Sequence, residues 1–281
     1  MAIKLYRPTT PGRRGTSVMD TRHLDKVRPL KSLVLHKKRM AGRTNTGKIT
    51  VRHQGGGARK IIRSIDFLRN KFEIPGKVVS LEHDPNRNAD IALINYADGE
   101  KRYIISPNGL AKGMTVISSK KTFVQQAGNA FPLTMIPAGS LIHNVELEPG
   151  KGAVIGRSAG SNIILQVIEG RYAQVKMPSG EIRLLPKECL ATLGQVSNAD
   201  FRNIRWGKAG RMRHRGIRPT VRGKVMNPVD HPHGGGEGSN PIGLKKGPMN
   251  VYGKKAMGIK TRKANKISHK LILVRRKKKT A

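Results

Sequence analysis

Three side chains with catalytic or metal-binding chemistry lie close together in the last fifth of the chain. Asp230, His231 and His233 place one carboxylate and two imidazoles within four positions, and such groups act as general bases and as zinc ligands. Pro232 stiffens the link between the histidines, and no cysteine or further histidine lies nearby, which disfavours a metal site. General-base catalysis needs a pocket that tunes the imidazole, and this glycine-flanked segment supplies none. We therefore predict no metal ligands and a contact role for both histidines, with His231 as a weak candidate base.

Two runs of three glycines are the next unusual feature. Residues 234–236 follow His233, and Gly55–Gly57 lies between the basic residues Arg52 and Arg59. Glycine lets backbone N–H groups approach a phosphate where a Cβ atom would clash. The run at 55–57 is interpreted either as a hairpin loop of a β-barrel or as a backbone contact with phosphate.

Charge indicates what these segments bind. The chain has 55 Lys+Arg and 17 Asp+Glu, a net charge of +38. Residues 1–60 carry +14, residues 61–200 carry +3 and residues 201–281 carry +21. Such a surface requires a polyanion, either nucleic acid or an anionic membrane. The longest apolar runs have about four residues, against ~20 for a spanning helix, and no basic amphipathic face carries aromatic anchors. We therefore predict a nucleic-acid partner and no membrane.

The composition of the basic ends favours folded RNA over unstacked single strands. Residues 201–281 contain 12 glycines and 5 prolines, and only a short stretch near Ala199–Ile204 suggests a helical turn. The whole chain has one Trp, five Tyr and five Phe, whereas base-stacking modules place aromatic residues on their binding faces. We predict an extended arm that threads through folded RNA.

The neutral middle of the chain is predicted to form two small β-barrels. Short β-branched runs are separated by turn residues, with Asp98-Gly99 as a hairpin signal. The first predicted series is Ile49–Arg52, Lys60–Asp66, Lys77–His83, Ile91–Tyr96, Lys101–Ser106 and Met114–Ser118, and the second is Leu141–Leu147, Ala153–Gly156, Ile163–Ile168, Tyr172–Met177, Glu181–Leu185 and Leu190–Val196. Five or six short strands in about 70 residues are typical of a small closed barrel. The stretch Gly128–Gly139 is predicted to link the two.

Two further signals limit the possible functions. Cys189 is the single cysteine, so no intrachain disulfide forms, and it is predicted to pack in a strand. Gly150-Lys-Gly152 lacks the full P-loop pattern, so we predict no nucleotide cofactor and no small-molecule substrate. The arginine-rich N-terminus is compatible in composition with a transit peptide.

Many motifs in a specific order resemble the large-ribosomal-subunit protein two family over essentially the full length. They are Lys4–Arg14, Gly47–Lys60, Ile65–Phe67, Leu81–Ala89, Asp98–Ile104, His143–Gly152, Arg157–Gly160, Gly207–Gly210, Arg218–Gly223 and Met226–Gly238. The resemblance begins within the first few residues, so we expect the N-terminal arm to belong to the mature protein.

The resemblance implies a mainly β fold in four segments. They are a basic N-terminal arm at 1–36, an oligonucleotide-binding-fold barrel at 37–126, an SH3-like barrel at 127–198 and an extended Gly/Lys/Arg-rich arm at 199–281. It also implies arms that enter large-subunit ribosomal RNA near the peptidyl transferase centre, a primary role in assembly, and support of small-subunit association. Other large-subunit proteins and the small subunit, at the intersubunit face, are the expected partners. The expected location is the cytoplasmic ribosome, with no cofactor except Mg²⁺ held through bound RNA.

Three positions depart from the family pattern, and each raises a question about local RNA contacts. Ser239 replaces a usual Arg, His214 stands where a Trp is common, and Tyr252 replaces the Trp of a Pro-Trp-Gly motif.

The predicted RNA-binding residues are cations, bare glycines and polar side chains in these motifs. They are Arg13, Arg14, Arg43, Arg52, His53, Gly55, Gly56, Gly57, Arg59, Lys60, Arg63, Arg69, Arg87, Arg157, Lys208, Arg211, Arg213, Arg218, Arg222, Asn227, His231, His233, Gly234, Gly235, Gly236, Lys260, Arg262 and Lys263.

Two functions follow from these patterns. The favoured one is a non-enzymatic structural constituent of the large ribosomal subunit. The alternative is an RNA-dependent enzyme of acyl transfer or hydrolysis that uses His231 as its base. A turnover assay on the isolated protein separates them, because binding without transfer or hydrolysis supports the first.

Overall fold

The computed structural model describes residues 3–36, 40–237, 241–263 and 265–276. Over these residues the chain is mainly β, as predicted, and it divides into two compact units. The first unit comprises Met1–Lys38, Arg59–Arg211 and Lys270–Ala281, and the second comprises Arg39–Ala58 and Met212–His269. The predicted C-terminal arm therefore contributes to both units.

The N-terminal arm forms regular structure in the first unit. β1 (Ile3–Leu5) and β2 (Ser17–Met19) make an antiparallel hairpin, and β3 (Val34–Leu35) pairs with β4 (Ile62–Arg63). Between these pairs, Leu24 is only 9% exposed and packs into the core of the first barrel. Burial of this leucine fixes the arm to the barrel, since it removes apolar surface from water.

Four antiparallel strands form the main sheet of the first barrel. They are β5 (Gly76–Glu82), β6 (Ile91–Tyr96), β7 (Lys101–Ile105) and β8 (Thr115–Val116), paired in the order β7–β6–β5–β8. Their inward side chains, including Val78, Ile94 and Ile104, form one hydrophobic cluster. The predicted hairpin at Asp98-Gly99 is confirmed: Gly99 has φ +84° and donates its N–H to the Tyr96 carbonyl at 2.9 Å.

A seven-stranded antiparallel sheet forms the second barrel. Its strands are β9 (Ala130–Pro132), β10 (Leu141–His143), β13 (Ile163–Glu169), β14 (Tyr172–Lys176), β15 (Ile182–Pro186), β16 (Leu190–Leu193) and β17 (Ile272–Val274), in the order β17–β15–β14–β13–β10–β16–β9, while β11 (Val145–Glu146) and β12 (Ala153–Ile155) form a separate hairpin. The core includes Phe131, Ile142 and Leu165, all fully buried. Cys189 packs in this core one residue before β16, and burial raises the pKa of its thiol to about 12.

Several predicted strands end early for identifiable reasons. The predicted strand Leu141–Leu147 is split at Asn144, whose φ of +50° interrupts the extended backbone. The predicted strand Leu190–Val196 stops at Leu193, because Gly194 has φ +99°. The predicted strand Ile49–Arg52 is wrong. Thr50 and Val51 both donate their N–H to the Gly42 carbonyl where the backbone bends, and Val51 is about half exposed.

The predicted link Gly128–Gly139 is itself structured. It contains β9 and the 3-10 turn Leu133–Met135. Strand β17, from the predicted C-terminal arm, also joins the second barrel and pairs with β15.

Helical structure is short over the described residues. The α-helix α1 spans Ala209–His214, and 3-10 turns lie at Lys31–Leu33, Ala199–Asn203, Gly223–Val225 and Ile267–His269. The predicted helical turn near Ala199–Ile204 is confirmed. In the part of the chain that is described, no helix is long and apolar enough to cross a bilayer.

Candidate nucleic-acid interface

A compact loop in the second unit holds the histidines. The Asn227 carbonyl accepts the N–H groups of Asp230 at 3.0 Å and of His231 at 3.3 Å. Gly234 donates to the His231 carbonyl at 2.8 Å, and Gly235 donates to the Met226 carbonyl at 3.1 Å. A Cβ atom on Gly234 would lie 2.3 Å from the Asn227 carbonyl oxygen, and Gly235 has φ +89°. Loop geometry alone therefore requires these glycines, whether or not phosphate approaches them.

The two imidazoles are acceptors within the loop. Nδ1 of His231 accepts the His233 backbone N–H at 3.0 Å, and Nε2 of His233 accepts the Met249 N–H at 2.8 Å. Each ring is therefore neutral in this arrangement, with its remaining nitrogen protonated. The His231 ring is 9% exposed and packs on Gly223, where a Cβ would lie 2.4–2.6 Å from the ring atoms.

The surroundings keep His231 uncharged. Burial, and then the nearby His233 and Arg52, hold the pKa of His231 below its ordinary value. A base aimed at substrate needs a free lone pair within hydrogen-bond reach, but the lone pair of His231 is already used inside the loop. Over the described residues, no group of three or more His, Cys, Asp or Glu side chains is arranged to hold a metal ion.

We expect Gly234→Ala to open this loop. The added methyl would meet backbone atoms of Asn227 that cannot rotate away, so the bonds donated by Gly234 and Gly235 should break. At ~1 kcal/mol per hydrogen bond, their amides should exchange with deuterium about 30-fold faster. Gly210→Ala is the matched control, because nothing lies within 4 Å of a Cβ there. Unchanged exchange in Gly234→Ala would show that the loop tolerates a side chain.

The glycines at 55–57 pair with a distant segment of the second unit. Gly55 donates its N–H to the Gly216 carbonyl at 2.8 Å, and Ala58 donates to the His214 carbonyl at 2.7 Å. A Cβ on Gly57 would lie 2.7 Å from the Gly216 nitrogen. The hairpin-loop interpretation is therefore wrong, since the close approach that requires glycine here is between two protein segments.

Two of the three positions that depart from the family pattern lie among the described residues. His214 contributes its backbone carbonyl to the bond with Ala58, which does not depend on the side chain. Tyr252 is 80% exposed, and Ser239 lies outside the described residues.

In the first unit, the N-terminal hairpin contacts the beginning of the C-terminal arm. Ser17 donates its N–H to the Arg205 carbonyl at 2.9 Å, and its Oγ accepts the Arg205 N–H at 2.8 Å. Arg211 donates to the Ser17 carbonyl at 3.2 Å and stacks over Trp206 at 5.1 Å. A Cβ on Gly207 would overlap the Thr16 hydroxyl. These contacts join two strongly basic segments into one surface.

Aromatic rings orient several of the arginines. The Phe67 ring lies under two guanidinium groups, Arg157 at 4.2 Å and Arg87 at 5.8 Å. Arg13 lies over Tyr6 at 5.2 Å. Cation–π contact restricts the guanidinium without consuming its hydrogen-bond donors, although Arg87 also forms an ion pair with Asp84. The rings of Tyr6, Phe67 and Trp206 were not among the predicted site residues. Tyr6 and Trp206 each lie next to an arginine in the sequence, and aromatic residues are rare in this chain. That combination could have indicated both rings.

Most of the predicted RNA-binding cations are on the surface. The exposed ones are Arg13, Arg14, Arg43, Arg52, Arg59, Arg157, Lys208, Arg218, Arg222, Lys260, Arg262 and Lys263, whereas Lys60, Arg87, Arg211 and Arg213 are half-buried.

Two predicted surface contacts are buried. Arg69 is 3% exposed, and it donates to the Ser118 hydroxyl at 3.2 Å and to the Gly128 carbonyl at 3.1 Å. Its prediction as an RNA contact is wrong, because the guanidinium bonds the first barrel to the segment that leads into the second. Arg63 is 9% exposed and lines a cleft in the first unit.

Two family models match the chain. The family described as Ribosomal Proteins L2, RNA binding N-terminal domain, matches residues 30–118. The family described as Ribosomal Proteins L2, C-terminal domain, matches residues 126–253. Together the two matches cover most of the chain.

Proposed function

The chain belongs to the ribosomal protein L2 family, and from this premise we propose that it is a primary ribosomal-RNA-binding protein of large-subunit assembly. Family membership makes it a ribosomal protein with an RNA-binding role. The proposal adds three finer roles: early binding during assembly, support of small-subunit association, and maintenance of the RNA around the peptidyl transferase centre. Its location is then the cytoplasmic ribosome, where it contacts large-subunit RNA, other large-subunit proteins and the small subunit at the intersubunit face.

One observation carries the proposal. The exposed cations are concentrated on the N-terminal hairpin, at the start of the C-terminal arm and throughout the second unit, while residues 61–200, which contain most strands of the two barrels, are nearly neutral. A compact unit of loops with so many cations repels itself, and bound phosphate relieves that repulsion. No resident cofactor is part of the proposal, and Mg²⁺ is expected only through bound RNA.

Sedimentation of the tagged full chain from a lysate tests the ribosomal role. The protein should travel with large subunits and be present in early assembly particles. Appearance only in mature particles would contradict a primary assembly role, and absence from large subunits would contradict the ribosomal role altogether.

Substitutions of His231 distinguish a structural role from a catalytic one. We expect assembled ribosomes that carry His231→Gln to form peptide bonds at nearly the parent rate, because the glutamine carbonyl can accept the His233 N–H but cannot titrate near neutrality. His231→Ala should mainly reduce the yield of assembled particles. Loss of a general base typically lowers a rate by ~10²–10⁴-fold. A loss of that size in intact His231→Gln particles, with a changed pH profile, would favour the catalytic alternative.

A further inference from the structure

A small cleft in the first unit lies between the N-terminal arm and the first barrel. Its volume is about 260 Å³, below the roughly 300–1,000 Å³ of sites for drug-sized ligands. The arm lines one side, and the barrel contributes Arg63, Glu82 and His83. The arm residues are Thr21, Leu24, Asp25, Lys26 and Val27. Two hydrogen bonds hold the two sides together. The Asp25 N–H donates to the Leu81 carbonyl at 2.8 Å, and the Leu81 N–H donates to the Asp25 carboxylate at 3.1 Å.

Arg63 in this cleft has too few hydrogen bonds for a buried guanidinium. Its side chain is 10% exposed, and its Nε is buried without a partner among the described residues. One terminal nitrogen makes a long bond of 3.4 Å to the Ile61 carbonyl and lies 3.9 Å from Asp84. Asp84 is itself occupied by Arg87 and by two donors of Asn86. A buried charge with unused donors is costly, and because Arg63 lines the cleft, acceptor atoms placed there would stabilise its guanidinium.

Glu82 contributes hydrogen-bond acceptors to the same cleft. It is 3% exposed, and its carboxylate accepts the hydroxyl protons of Ser80 at 3.0 Å and of Tyr103 at 3.0 Å. A carboxylate has about four acceptor positions, so two donors leave capacity for more. The Tyr103 hydroxyl also accepts the Leu30 N–H at 3.1 Å, which fixes the direction of its own proton toward Glu82. The cleft therefore offers donors from Arg63 and acceptors from Glu82.

We propose that this cleft binds an unstacked guanine base of ribosomal RNA. Guanine presents two acceptors, O6 and N7, on one edge for arginine, and two donors, N1–H and the 2-amino group, on the adjacent edge for a carboxylate. Adenine places an amino group beside N7, so it would direct a donor at Arg63. A phosphate group in the cleft would face the carboxylates of Glu82 and Asp25, and it has no hydrogen-bond donor to offer them. Such base recognition is typical of RNA loops and bulges. The inference rests on the proposed function, since it names the RNA feature that the first barrel reads.

Free nucleosides test the cleft without the phosphates that bind throughout so basic a chain. The full-length protein is dialysed to equilibrium against labelled guanosine, inosine, 7-deazaguanosine or adenosine. Guanosine should bind at one site at least 10-fold more tightly than inosine, which lacks the 2-amino group, and than 7-deazaguanosine, which lacks N7. Equal binding of the four nucleosides, no binding of guanosine, or its displacement by millimolar inorganic phosphate would each overturn the proposal.

Arg63→Met tests the cation. The substitution keeps length and apolar stem, and Asp84 keeps its pairing with Arg87. The unfolding temperature should fall, because one partner of a buried ion pair is lost, while guanosine affinity falls at least 10-fold in the folded chain. Lys77→Met is the matched control, because Lys77 is exposed on β5 and loses the same charge. It should leave guanosine binding unchanged. Guanosine binding that survives in Arg63→Met refutes the assignment.

Glu82→Gln provides a second variant in case Arg63→Met fails to fold. The amide oxygen still accepts the Tyr103 hydroxyl, but the amide nitrogen opposes the guanine donors. The preference for guanosine over inosine should disappear, and its persistence overturns the proposal. Failure of the cleft and failure of the proposed function are distinguishable: ribosomal-RNA binding without guanosine preference refutes the cleft alone, and guanosine preference without ribosomal-RNA binding refutes the ribosomal role alone.

Discussion

Replacement of Arg218, Arg222, Lys260 and Lys263 by glutamine should lower the affinity for large-subunit ribosomal RNA by roughly 200- to 900-fold near physiological salt, by the counterion-release relation. All four side chains are exposed in the second unit, and the sequence predicts that each meets phosphate. Each lost contact should also flatten the slope of log affinity against log salt by ~0.7–0.9. The total change in slope should therefore be about 3, measured by filter binding of the full-length protein across a salt series.

The control for this prediction removes the same charge from the nearly neutral middle of the chain. Lys77, Lys101, Lys112 and Lys176 are exposed on or beside the barrels, and their replacement by glutamine should change the slope by less than one contact. Equal flattening in the two variants would show that the RNA responds to net charge and not to the second unit.

The strands that the sequence predicted best are those with a local pattern. The run Ile91–Tyr96 is bounded by turn residues, and the structure gives these same limits for β6. Strand β9 was missed because Pro132 interrupts the pattern. It is tolerated there because β9 is an edge strand, where a missing N–H costs no ladder bond. Strand β17 was missed because only its pairing with β15, about 90 positions away, makes it a strand.

The candidate site was predicted by residue type and not by residue environment. Charge and glycine content located the basic segments, because phosphate binding depends on composition. Burial depends on long-range packing, so nothing local distinguished Arg69, which bonds Ser118 and Gly128 inside the first unit, from the exposed Arg59. The same limit applies to His231, because nothing local in the sequence showed that its imidazole accepts a bond from its own loop.

The N-terminal hairpin changes the interpretation of the basic ends. Charge and glycine content predict that residues 1–35 and 201–281 are largely disordered in the free protein. The bonds of Ser17 to Arg205, the contact of Gly207 with Thr16 and the pairing of β17 with β15 give parts of both ends fixed partners within the first unit. Hydrogen exchange of the RNA-free chain should therefore show protection at these contacts and at the bonded amides of Gly234 and Gly235. Strong protection through the rest of Gly223–Lys263 would overturn the prediction of disorder.

A buried histidine of the second barrel should make the protein acid-sensitive. His143 is fully buried, and its Nδ1–H donates to the Gly194 carbonyl at 2.8 Å. Burial, opposed only in part by that bond, lowers the pKa of His143 to about 4. The unfolded chain takes up this proton near the ordinary value of about 6.5, so it binds more protons than the folded chain between these pH values. Stability should therefore fall as pH decreases from about 6.5 to about 4.

The size of this loss makes it measurable against the background of other titrating groups. Each pKa unit corresponds to ~1.4 kcal/mol, so His143 alone should remove about 2–3 kcal/mol of unfolding free energy between pH 7 and pH 4.5. In His143→Leu the unionisable side chain fills the same core, and the urea-unfolding free energy should depend on pH less steeply by that amount. His36→Leu is the control, because His36 is exposed and its ring stays in water in both states. Parallel pH profiles for the parent and His143→Leu would show that the second barrel admits the proton without unfolding, and would remove His143 as the cause of acid sensitivity.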